Sequence, residues 1–217
     1  MTASENKAPE TYSPPDLFHR LGNFLFRYRS YTPVPLAVVL VWQADIHFPL
    51  AVLGLVLLVV GELVRLSAVR SFGRGVRTRK VGAQVLITWG LFAHMRNPLY
   101  VGNLLLWMGV VLFAGGQYMP WLLIVALVYF MLQYALIISV EEAALQELFG
   151  DAYIHYCSSV PRVFPRLRKY RPVNVEANDN QSVVSRAWSY AFQHERSTLT
   201  AIIAVLILTL VSTYLKA

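Results

Sequence analysis

The chain has 217 residues, 56% of them hydrophobic and 14% charged. A soluble domain carries about 25% charged residues, so a water-exposed globule is excluded and apolar spans are indicated. The net charge of +7 comes with no nucleic-acid-binding motif, and the single Cys157 excludes an internal disulfide framework or a cysteine zinc site.

Residues 1–18 are polar, contain proline and lack an apolar h-region. They read as a retained disordered tail, and residues 1–22 as a cytoplasmic one. A membrane-crossing helix needs roughly 20 apolar residues. The stretch 32–44 is short for that; its helix is expected to start near Arg29 or Ser30, with Pro33 and Pro35 in the first turns where proline is tolerated, or else 30–44 is re-entrant. Clearer spans lie at 48–68, 98–116, 119–140 and 199–215. The segment 69–97 is long and partly apolar, and 141–172 is polar with helical spacing. Within it Gly150 is placed as a C-cap, and Asp151 as N-cap of a short helix bearing Tyr153 and Tyr156. The run VPRVFPR at 160–166 then breaks regular structure. The predicted organisation is a core over 23–172, a polar linker over 173–198 that could carry an amphipathic turn at 184–194, and an additional C-terminal transmembrane helix over 199–217. The fold class is all-α, an integral membrane bundle of about five transmembrane helices.

Basic residues fix the expected orientation. Arg65, Arg70, Arg74, Arg77, Arg79, Lys80 and Arg96 fall in 61–97. Arg162, Arg166, Arg168, Lys169, Arg171, Arg186 and Arg196 fall in 140–198. Lys7, Arg20, Arg27 and Arg29 precede the first span, and Lys216 alone lies at the other end. The N-terminus is therefore placed in the cytoplasm. The charge reads as a topology signal, with attraction to anionic lipid secondary.

Glycine-rich nucleotide loops, a P-loop, H-E-x-x-H and G-x-S-x-G are all absent from the sequence, and its histidines lack metal-ligand spacing. Ionisable groups at the ends of apolar helices are functional candidates. Glu62 and Arg65 lie three apart on one helix face, as a site pair or as an interfacial pair with a snorkelling arginine. In GLFAHMRNPLYVGN (90–103) Pro98 starts a span and Asn97 could cap it. That helix N-terminus suits an anionic group. Tyr100 and Asn103 could share a cavity, and Gly102 lets a ligand or another helix approach; an interfacial Arg–Tyr belt would also explain the stretch. Glu141 and Glu142 follow an apolar run, either to bind a cation and take a proton or simply to solvate the helix end.

Two blocks, GLFAHMRNPLYVG and EEAALQELFGDAYIHYCSSVPRVFP, together with the upstream GELVRLSA, resemble the isoprenylcysteine carboxyl methyltransferase and phospholipid methyltransferase superfamily over about residues 55–165. The resemblance implies a small helical membrane bundle of a bacterial inner membrane. It implies a cytosolic S-adenosylmethionine site and a lipid or hydrophobic acceptor entering from the bilayer. His94, Arg96, Asn97, Pro98, Tyr100, Gly102 and Glu141 would line the cofactor site. Tyr153, Tyr156 and Arg162 would shape a closing segment, and Glu142 would contact cofactor or orient the acceptor. Prenylcysteine enzymes usually carry His at the position of Asn97 and Arg at that of Ile137, which weighs against a prenylcysteine acceptor here.

Methyl transfer from a sulfonium asks the protein chiefly for proximity and alignment. For an amine acceptor, Glu141 or Glu142 could take the proton. For a carboxylate, Arg65 or Arg162 is the expected cation. A nicotinamide-dependent membrane reductase and a non-enzymatic scaffold are the alternative classes. A transporter is disfavoured by the absence of ionisable residues at mid-span.

Overall fold

A computed structural model describes residues 16–71, 85–171 and 188–216. The expected tail up to residue 15, the stretch 72–84 and residues 172–187 of the expected linker lie outside the described residues. The elements are α1 (Asp16–Tyr28), α2 (Val34–Gln43), α3 (Phe48–Arg70), a 3-10 turn (Gly90–Ala93), α4 (Pro98–Ala114), α5 (Met119–Phe149), α6 (Asp151–Ser159) and α7 (Trp188–Lys216). The described residues contain no strand beyond an isolated Asp45–Gly115 bridge. The protein is an all-helical membrane bundle, and α3, α5 and α7 are long and apolar enough to cross a membrane.

The remaining two of the expected five spans are shorter helices. The 17 residues of α4 reach about 26 Å against about 30 Å of hydrocarbon. The helix stops at Gly115, whose φ of +62° is natural only for glycine. The 10 residues of α2 follow a break at 29–33. Pro33 and Pro35 lack the N–H groups that would let α1 run on into α2. The break is closed by local bonds from Tyr31 N and Thr32 N to Tyr28 O, and α5 braces it: the Tyr129 hydroxyl donates to Thr32 O at 3.4 Å, and Gln133 Nε2 donates to the Thr32 hydroxyl at 2.8 Å. Non-helical backbone at membrane depth requires such partners.

The centre of the bundle is the contact of α3 with α4. Gly54, Leu58, Gly61 and Arg65 share one stripe of α3, and Gly102, Leu106, Gly109 and Phe113 share one stripe of α4. Gly54 sits against the backbone of Gly109 and Phe113, and Gly61 against that of Gly102 and Leu106. Without hydrophobic driving force between helices in lipid, small residues that let backbones close up provide the attraction. Around this pair, Leu40, Leu106, Val110, Phe130, Tyr134 and Ile137 form the main core. Trp107 stacks on Phe130 at 5.3 Å between ring centroids.

Both ends of the chain depart from the sequence reading. Helix α1 begins at Asp16, within the stretch expected to be a tail. Its Gly22 packs on Val140 and on the Leu136 carbonyl of α5, while Leu17, Leu21 and Phe24 form an exposed apolar face. Polar residues interleaved at helical spacing made this segment look disordered, whereas they mark an amphipathic helix. Likewise α7 starts at Trp188, ten residues before the linker was expected to end. Its far end is tied to α2, with Lys216 Nζ donating to the Trp42 carbonyl and, at 3.2 Å, to that of Ala44.

Candidate active site

Each half of the site is prepared by its local sequence. Pro98 and Asn97 start α4, so Tyr100 and Asn103 emerge one turn in, on the face that looks toward α5. Gly150, at φ +50°, ends α5 as expected; it also precedes α6 as its N-cap, so Asp151 is the first helical residue rather than the cap. The resulting reversal brings Tyr153, Tyr156 and the segment 160–171 back over the start of α4. Asn97 stands at the N-cap position of α4 with no capping bond from its side chain. Its Nδ2 instead donates to Arg162 O at 3.2 Å.

That bond belongs to a short ladder. Arg96 N donates to Pro161 O at 2.9 Å, Asn97 N to Arg162 O at 3.1 Å, Arg166 N to His94 O at 3.0 Å and Tyr170 N to Ala93 O at 3.0 Å. The VPRVFPR run thus leaves the helix and bends back alongside residues 94–97. The Tyr156 hydroxyl adds a 2.6 Å bond to Phe92 O. Burial pushes the Tyr153 and Tyr156 phenols well above their ordinary value, so both remain neutral donors.

Under this clasp lies a cavity of about 610 Å³, within the range of small-molecule sites. At one end Glu142 Oε2 accepts from Arg162 Nη2 at 2.6 Å and Nε at 2.9 Å, and Glu142 Oε1 lies 3.5 Å from Arg96 Nη2. Arg96, Asn97, Tyr153 and Tyr156 complete this wall. In the middle, the Tyr100 hydroxyl donates to Glu141 Oε1 at 2.8 Å, and Tyr134 stands 5.0 Å from the Tyr100 ring. At the other end Arg65 donates to Asn103, to Glu195 and, at 3.1 Å, to Thr198. Glu62 is 3.9 Å from Arg65 Nε. Phe26, Pro33, Trp107 and Ala201 are among the apolar residues of the same lining.

Of the sequence candidates, Arg65, Arg96, Asn97, Tyr100, Glu141, Glu142, Tyr153 and Tyr156 line the cavity. Arg162 is half exposed and reaches it through Glu142. His94, Pro98 and Gly102 lie outside the lining. His94 Nδ1 shares a 2.8 Å hydrogen bond with Arg166 O and braces the clasp. Pro98 is buried at the first turn of α4. At Gly102 the approaching group is α3, because a Cβ there would meet Arg65 Cγ at 2.5 Å and Gly61 O at 2.9 Å. Sequence reading missed Arg29, Tyr134, Ser197, Thr198 and Glu195. The available signal for Glu195 was a carboxylate placed one turn before an apolar run.

A family model of phospholipid methyltransferases matches residues 50–152, the stretch that carries α3, α4, α5 and the start of α6. Over this stretch the chain is similar to the phospholipid methyltransferase family. The protein-S-isoprenylcysteine O-methyltransferase of Schizosaccharomyces pombe is 32% identical over 112 residues, which cover 50% of this chain and 46% of that protein. Protein-S-isoprenylcysteine O-methyltransferases B and A of Arabidopsis thaliana are 29% and 30% identical over 126 residues, covering 55% of this chain and 61% of each. The chain therefore spans about half to three-fifths of the relatives' lengths. The matched segment contributes Arg65, Arg96, Tyr100, Glu141 and Glu142; the clasp after residue 152 and all of α7 lie beyond it.

Proposed function

We propose that the protein is a membrane methyltransferase that transfers a methyl group from S-adenosylmethionine to a lipid or hydrophobic acceptor, with the acceptor's carboxylate or amine as the receiving group. We also propose that the cavity opens at the cytoplasmic face of a bacterial inner membrane. The observation that carries the reading is the convergence of the two motif blocks, from either side of a membrane-spanning hairpin, on one cavity through Arg96, Glu142 and Arg162.

The residues fit a cofactor with an amino-acid end. Arg96 and Glu142 offer opposite charges side by side, and Arg96 Nε and Glu142 Oε1 are buried without a hydrogen-bond partner among the described residues. Arg96, Asn97, Glu142, Tyr153 and Tyr156 would hold it, under the backbone ladder that joins residues 93–97 to 161–170. When bound, S-adenosylmethionine supplies an already activated methyl group. The chain's own residues then have to align, exclude water and manage a proton. Glu141 is the group placed to take a proton from an amine, and its rotamer is held by the Tyr100 hydroxyl. A carboxylate acceptor needs no base and would face Arg65, the guanidinium at the apolar end of the cavity. Names of the relatives favour the carboxylate; the positions of Asn97 and Ile137 favour a departure from the prenylcysteine pattern.

The test is methyl transfer from labelled S-adenosylmethionine, by the purified protein in detergent, into a total lipid extract supplemented with S-prenylcysteine. Glu142→Ala serves as control. Label in one acceptor that is lost in the variant supports the reading. No transfer, together with no binding of S-adenosylhomocysteine by calorimetry, refutes it.

A further inference from the structure

Helix α7 lies outside the family segment 50–152, yet it reaches into the cavity. Ser197, Thr198 and Ala201 line it, with the Thr198 hydroxyl accepting from Arg65. One turn earlier Glu195, with no exposed surface, forms an ion pair with Arg65. A carboxylate with no access to water at the end of a transmembrane helix is expensive unless a cation meets it, so this partner fixes where α7 docks. The pair also fixes Arg65. The aliphatic stem of Arg65 lies over Gly102, where any larger residue would collide with it. Its guanidinium is held on one side by Asn103 of α4 and on the other by Glu195 and Thr198 of α7. A free arginine side chain samples many rotamers, and holding it costs about 2 kcal/mol of side-chain entropy. These contacts, with Glu62 3.9 Å from Nε, have already met that cost, so the guanidinium is held in one position in the cavity lining.

We propose that Glu195 is a positioning residue for methyl transfer: with Thr198 it holds Arg65 against the acceptor end of the cavity, which makes α7 the wall that selects the acceptor's head group. The hydrogen bonds and ion pairs of Arg96, Asn97 and Glu142 run to α5 and the clasp. The inference rests on the methyltransferase reading. It predicts that disturbing the α7 contacts changes how the acceptor binds and leaves the cofactor alone.

The experiment uses the full chain in detergent micelles with S-prenylcysteine and phosphatidylethanolamine as acceptor probes. Glu195→Gln keeps the shape and removes the charge; Glu195→Asp keeps the charge. The Gln variant is expected to raise the acceptor KM about tenfold or more, the loss typical of one charged hydrogen bond. Affinity for S-adenosylhomocysteine should stay within about twofold, and the Asp variant should recover much of the loss. Thr198→Val removes the 3.1 Å bond without touching the ion pair, and should raise the acceptor KM by about threefold; it carries the test if Glu195→Gln fails to fold. An unchanged acceptor KM in folded variants overturns the proposal. So does an equal fall in cofactor affinity, kcat and melting temperature, which would make the pair a strut of the bundle. A wild-type protein that binds no S-adenosylhomocysteine and methylates neither probe removes the functional reading itself, and the proposal with it.

Discussion

The substitution Gly102→Ala probes the packing and the site at once. A Cβ at this position would lie 2.9 Å from the Gly61 carbonyl oxygen and 2.5 Å from Arg65 Cγ. Ordinary contact begins at 3.4 Å, so α3 and α4 must separate by about 0.5 Å and the Arg65 stem must move by about 0.9 Å. A gap of 0.5–1 Å forfeits about a quarter to a half of each dispersion well along the interface. Overpacking of this kind costs about 1–3 kcal/mol. Arg65 cannot absorb the shift freely, because Asn103, Glu195 and Thr198 hold its head. A misplacement near 1 Å can lower a reaction rate by about 100-fold. The expected outcome is a stability loss of about 1–3 kcal/mol in reversible SDS unfolding, with methyl transfer reduced by about 10- to 100-fold and S-adenosylhomocysteine affinity little changed. Gly150→Ala is the control. It meets nothing within 4 Å but sits at φ +50°, so it should cost about 1–3 kcal/mol of backbone strain and leave α3 and α4 as they are. If Gly102→Ala matches the wild type in both stability and transfer, the close approach of α3 to α4 is not what positions Arg65.

Glu142→Gln should weaken S-adenosylhomocysteine binding by about 10- to 100-fold, since it leaves the part-buried Arg96 without its carboxylate. Arg162 is 54% exposed, so Arg162→Ala should cost less than about fivefold; calorimetry giving equal losses for the two would contradict this placement. Gln133→Leu removes the donor to Thr32 Oγ1 and should destabilise the break between α1 and α2 by about 0.5–1.5 kcal/mol, again read by SDS unfolding. An unchanged midpoint would mean that the Thr32 hydroxyl needs no partner from α5. Tyr156 is raised by burial above an unfolded value of 10.0. Above pH 10 the unfolded state therefore loses protons that the folded state keeps, and stability falls as pH rises. Below pH 10 this group contributes no slope. Tyr156→Phe should lower stability at neutral pH by about 1 kcal/mol, through its lost bond to Phe92 O, and flatten the decline above pH 10. A decline of unchanged steepness would refute the burial.

Much of this protein can be read from its sequence because membrane helices are local objects. Long apolar runs must become helices, since each backbone group has to find its partner within the segment; hence α3, α5 and the apolar part of α7 were legible. Gly150 could be read as a helix end from its chemistry alone. The motif blocks pointed to Arg96, Tyr100, Glu141 and Glu142 because charged and hydrogen-bonding groups next to apolar runs need a reason to be there. Helix α1 was not legible: its polar residues are common in disordered tails, and only Gly22 packing on α5 shows what its other face covers. Nor could the sequence distinguish a glycine that admits a ligand from one that admits a helix, so Gly102 was expected in the cavity and lies instead beneath Arg65. Tertiary structure alone decided that Glu195, 130 residues beyond Arg65, pairs with it beside the cavity. That pairing leaves no periodic trace in the chain, because its cause is the cost of two buried charges that only the folded bundle brings together.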